Sequence, residues 1–118
     1  MREVSKTIEY NGKQYKLVFN LNVMEEIQAE YEAVELWAKK TDGGKGEPDI
    51  KALIFGMSAM LNEGIDIDNE DRAPEDKVPY LTHKQVGRIL TDYGVKNSTA
   101  AVNDIVIAST KDTSGKNE

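Results

Sequence analysis

Cysteine is missing from all 118 residues, which removes disulfides, thiolate metal sites and cysteine nucleophiles together. Histidine occurs once, as His83, with no adjacent partner in sequence, which favours a surface role over a catalytic base. Basic residues are scattered: 15 Lys and Arg stand against 21 Asp and Glu, for a net charge of −6. Duplex DNA and anionic membranes need a concentrated basic face, so neither nucleic acid nor a membrane is an expected partner. The uncharged run from Ala52 to Leu61 is far shorter than the roughly 20 apolar residues that span a bilayer. At the N-terminus, Met1 to Lys6 has no apolar signal-peptide core, and the expected location is intracellular. The glycines of the Thr41–Asp49 region do not make a phosphate cradle, because Gly44-Lys45-Gly46 is followed by Glu47 and Pro48 instead of the Lys-Ser or Lys-Thr of a Walker loop.

What is present fits one α+β domain over residues 1–110, with hydrophobic content of 39% and charged content of 31%. Ala52 to Leu61 is apolar on every side of a helix, so it reads as a central helix covered by other elements, capped by Asp49 or Glu47. Gly56 within it marks a place where another backbone comes close. Before it, Asn11-Gly12 lies between two alternating runs and predicts a hairpin with a two-residue type I′ turn. That turn opposes Tyr10 to Lys13, Ile8 to Tyr15, Lys6 to Leu17 and Val4 to Phe19. Val4, Ile8, Tyr10, Tyr15, Leu17 and Phe19 then share one face, with Val18 as an apolar exception on the other.

A first helix capped by Asn20 or Asn22 is expected to run to Lys40, with Leu21, Met24, Ile27, Tyr31, Val34 and Trp37 or Ala38 as its stripe. Thr82 and Gln85 form a capping box, with Leu81 and Val86 as its staple, opening a helix that Gly94 ends. A fourth helix should begin near Asn97 or Ser98 and end near Thr110, followed by a disordered tail over residues 111–118. The expected architecture is an antiparallel β-hairpin packed on about four helices.

Two sets of residues are candidates for partner contact. Val102, Val106 and Ile107 widen the stripe of Ala101, Ile105 and Ala108 beyond what one neighbour covers, so Val18 on the hairpin and Val102, Ile105, Val106 and Ile107 on the fourth helix suit self-association or client contact; the competing reading is that all but Val18 are core. The second set, Asp66, Asp68, Glu70 and Asp71, lies in the stretch Glu63 to Lys77, which carries −5 of the net −6 and reads as part of a solvated acidic loop over residues 63–80. Asp66-Ile67-Asp68 opens like a calcium loop, but Asp71 stands where the turn needs glycine and Lys77 where a bidentate Glu is required. No nucleophile–base pair, metal cluster or spaced acid pair points to an enzyme.

The Asn-Gly hairpin, the run Tyr15 to Asn22 entering an acidic helix, Asn62-Glu63-Gly64-Ile65 closing an apolar helix and Leu81 to Ile89 opening the next resemble tail assembly chaperones of long-tailed phages or prophages of Gram-positive bacteria. The resemblance spans roughly Thr7 to Ile107 and rests on pattern, with no invariant chemical motif. It implies a non-enzymatic homo-oligomer in the cytoplasm of the bacterial host that keeps the tape measure protein soluble for tail tube polymerisation. A longer frameshifted product would recruit tail tube protein, and Gly115-Lys116-Asn117 permits a slippery codon run. The alternative is a small acidic regulatory module acting on a host or phage protein. Neither reading calls for a cofactor or a catalytic residue.

Overall fold

A computed structural model describes residues 3–42 and 46–115, with side chains through Ser109. Two strands, β1 (Val4–Tyr10) and β2 (Lys13–Phe19), precede five α-helices: α1 (Leu21–Tyr31), α2 (Val34–Asp42), α3 (Ile50–Asn69), α4 (His83–Tyr93) and α5 (Val95–Gly115). The class is α+β, as expected. The fifth helix arises because the expected first helix is two.

The hairpin has the register that the turn dictates, from Tyr10↔Lys13 to Val4↔Phe19. Asn11 and Gly12 take φ of 55° and 79°, the left-handed pair that a type I′ turn requires. Because Tyr10↔Lys13 closes the turn, hydrogen-bonded pairs recur at every second residue and the Lys16 carbonyl points away from β1. There α3 closes over the open edge: a Cβ on Gly64 would overlap the Lys16 carbonyl oxygen, so only glycine lets the helix approach so near. With α3 along that edge, Val18 is buried beside the core face instead of facing solvent.

α3 is the axis of the molecule. Asp49 caps it by accepting from the Ala52 N–H at 3.1 Å, and Leu53, Met57, Met60 and Leu61 are fully buried. The close approach at Gly56 is made by the indole of Trp37 and not by a backbone. A Cβ there would overlap the ring, and the Trp37 Nε1–H donates to the Ala52 carbonyl at 2.9 Å. Trp37 reaches that position because the chain breaks after α1. Glu32 adopts φ 73°, its N–H donating to the Gln28 carbonyl, and the polypeptide restarts as α2 in a new direction. A left-handed glutamate costs on the order of 1–3 kcal/mol, which burial of the whole indole offsets. Asn20 is the cap of α1, accepting from the Asn22 and Val23 N–H groups; Val23 is buried, and Leu21, expected on the core stripe, is 67% exposed.

α3 does not end at Gly64. It continues through the acidic sequence to Asn69, so Glu63, Asp66 and Asp68 are helical and the loop is confined to residues 70–82. Two asparagines then clasp the returning chain. Asn62 donates to the Leu81 carbonyl and accepts from its N–H (3.2 and 2.8 Å), and Asn69 does the same for Val78 (2.9 Å both). Seven residues of helix rise about 10.5 Å and three extended residues span about 10 Å, so the two clasps match in length. The strap they hold leads into the Thr82–Gln85 capping box of α4, which forms as expected.

Gly94, at φ 100°, ends α4, and α5 follows at once from Val95 instead of Asn97 or Ser98. No glycine or proline interrupts α5 before Gly115, and its backbone stays helical past the expected end at Thr110. Residues 116–118, and with them Lys116-Asn117, lie outside the described residues. So does Gly43-Gly44-Lys45.

Candidate functional site

The residues expected to contact a partner separate sharply. Val18, Val102 and Ile105 are buried at 2% exposure or less, and Val106 is half-buried; Ile107, at 53%, is the apolar member that reaches the surface. Among the acids, Asp68 is tied to Lys16 at 3.0 Å, while Asp66, Glu70 and Asp71 are exposed. The Asp66 carboxylate beside Tyr80, through hydrogen bonding first and its charge second, holds the Tyr80 phenol above its usual range.

Asp66 borders a recess of about 250 Å³ with Glu26, Phe55, Ser58, Ala59, Asn62, Glu63 and Tyr80. Much of its acidity serves the fold. Glu63 accepts from the amides of Asn20 and Asn22 at 2.8 and 3.1 Å and so ties α3 to the start of α1. Partial burial, then Glu63, then Glu25 raise the Glu26 carboxyl above its ordinary value. The Ser58 hydroxyl is buried without a hydrogen-bond partner among the described residues. No imidazole stands beside it, since His83 lies at the start of α4 on a different groove. Among the described residues no three His, Asp or Glu side chains are placed to hold a metal ion, and no helix is long and apolar enough to cross a membrane.

A second groove, of about 530 Å³, runs between β2 and the strap, with Tyr15, Ile65, Val78, Pro79 and Tyr80 among its walls and Lys13, Lys16, Asp68 and Arg72 at its polar margin. Both signs of charge are present, and Lys16 and Asp68 neutralise one another across it.

The third groove has a different character. α3 and α4 form a trough of about 420 Å³, lined by Ile50, Leu53 and Ile54 from the first helix and Gly87, Leu90 and Thr91 from the second, with Val95 beyond them. Leu53 and Leu90 are buried at its floor, while Ile50 and Val95 are 47% and 40% exposed. Among the described residues its charged lining is basic: Lys84 and Arg88, one turn apart on α4, with His83 beside them. The Thr91 hydroxyl donates to the Gly87 carbonyl at 2.8 Å, so it is satisfied within its own helix. Pattern reading along the chain did not select this surface. The available signals were Gly87 inside a strong helix and two cations spaced four residues apart.

Comparison with protein-family models, with curated proteins and with solved structures finds no match for this chain.

Proposed function

We propose that this chain is a non-enzymatic chaperone of the tail assembly type, which binds the tape measure protein of a phage or prophage and keeps it soluble while tail tube subunits assemble. The observation that carries the proposal is the open trough between α3 and α4, where apolar side chains that could pack on a further helix are left half exposed. The hairpin-on-helices fold and the sequence resemblance are consistent with it. Such a protein needs moderate contacts repeated over many copies, giving avidity along a long client without a very tight individual site. The setting is the bacterial cytoplasm, with self-association of the chaperone and contact with tail tube protein through a longer frameshifted form.

The test is co-expression with the longest helix-rich reading frame downstream of this gene. The long protein should become soluble only in the presence of this chain and co-purify with several copies of it. Unchanged solubility with no co-purification would remove the proposal. A second reading, an acidic module for a basic partner, is favoured by the recess of Glu26, Glu63 and Asp66. Its complexes should weaken steeply with salt, whereas apolar client binding should persist.

A further inference from the structure

We infer that the trough between α3 and α4 receives one amphipathic helix of a partner protein, whose apolar stripe is flanked by acidic side chains. The walls are two helices presenting residues at helical spacing, Ile50, Leu53 and Ile54 facing Gly87, Leu90 and Thr91. A third helix laid over such a seam sits about 8–10 Å from each axis and inserts residues at i, i+3 or i+4 and i+7. Gly87 gives it room, since even a Cβ there meets only Ile54 Cδ1, at 3.9 Å. An extended peptide would need backbone partners, whereas the Leu90 carbonyl already accepts from the Gly94 N–H and the Gly87 carbonyl from the Thr91 hydroxyl. Charge decides the occupant. Lys84 and Arg88 of α4 border the apolar floor with no acid among the described lining residues, in a chain whose net charge is −6. A partner helix with Glu or Asp beside its stripe gains attraction on approach and in place, and one with Lys there is repelled.

This assignment rests on the chaperone reading for the identity of the partner, not for its chemistry, and the two can fail separately. The probe is a labelled amphipathic peptide of about 18 residues with leucines at i, i+3, i+4 and i+7 flanked by Glu, alongside a twin flanked by Lys. Fluorescence anisotropy at low salt should show the Glu peptide binding at least about tenfold more tightly than its twin. Gly87→Leu, which fills the trough, should lose at least about tenfold in affinity with an undiminished melting temperature. The exposed pair Lys84→Glu with Arg88→Glu should invert the preference, and it serves equally should Gly87→Leu fail to fold. Equal binding of the two peptides, or binding unchanged in both variants, overturns the inference. So does an oligomer of the wild-type chain that Gly87→Leu turns into monomer while no peptide binds, because the occupant is then a second copy. If wild-type and Gly87→Leu both solubilise the long client, the trough assignment falls and the chaperone stands. If neither does but the Glu peptide binds in a Gly87-dependent way, the chaperone falls and the trough stands.

Discussion

Gly56 and Gly64 on α3 and Gly87 on α4 are the same residue in the same kind of setting, helix interior, where glycine costs about 1 kcal/mol relative to alanine. On α3 the missing side chain is used from within: the Trp37 ring fills the space at Gly56, and the Lys16 carbonyl the space at Gly64. At Gly87 a Cβ would meet, among the described residues, only Ile54 Cδ1 at an ordinary contact distance of 3.9 Å, so the room is left open. The difference separates packing that completes the fold from a surface left unfinished by it.

Replacing these glycines should therefore give effects of opposite sign. Gly64→Ala has the largest expected effect, because the group it meets is backbone of a paired strand and cannot rotate away. A loss of about 3 kcal/mol is expected in urea unfolding, with weakened protection of β2 amides in hydrogen exchange. Gly56→Ala drives against a side chain that can tilt, at the expense of its bond to the Ala52 carbonyl. It should lose about 1–3 kcal/mol and shift the emission of Trp37, the sole tryptophan, to the red. If either variant is as stable as wild type, the contrast with Gly87 collapses.

The clasps extend the same comparison to polar groups. Asn62→Ala leaves the part-buried Leu81 N–H and carbonyl unpaired and should lose about 1–2 kcal/mol, while Asn69→Ala, whose bonds are exposed, should lose less. Gly87→Ala should stabilise by up to about 1 kcal/mol, read as a raised denaturant midpoint. The smallest effect is at Glu26. Its folded carboxyl titrates above its ordinary value of 4.5, so near that pH the folded state binds more protons than the unfolded one and this group lowers stability as pH rises. Glu26→Gln should flatten that part of the stability–pH curve and leave the chain slightly more stable at neutral pH.

Local chemistry made several features legible. Asn11-Gly12 set every cross-strand pair, Thr82 and Gln85 marked the start of α4, and Ala52 to Leu61 announced the central helix. In each case neighbours within a few residues carry the signal: a turn type, a reciprocal cap, an unbroken apolar surface. The break at Glu32 carries none, since Tyr31-Glu32-Ala33-Val34 contains neither glycine nor proline; what selects it is the remote slot over Gly56 that Trp37 enters. The acidic end of α3 looked like loop because its charge is high. It stays helical because Gly64 packs on β2, Asp68 pairs with Lys16, and Asn62 and Asn69 bind the strap.

Burial also depends on direction as well as residue type. By residue type Val18, Val102 and Ile105 are as available as Ile107, and the fold places the first three inside. The trough was invisible for the converse reason: Ile50, Ile54, Lys84, Gly87, Arg88 and Val95 come from three elements, and none forms a pattern alone. By itself, then, the sequence determined the hairpin with its register, the capping box of α4 and the helix that would be central, all of them set by interactions within a few residues or one turn. Tertiary structure alone decided where the chain broke, which apolar residues were hidden and which groove stayed open. Those outcomes depend on how distant surfaces compete for the same space, and that competition exists only once the elements have met.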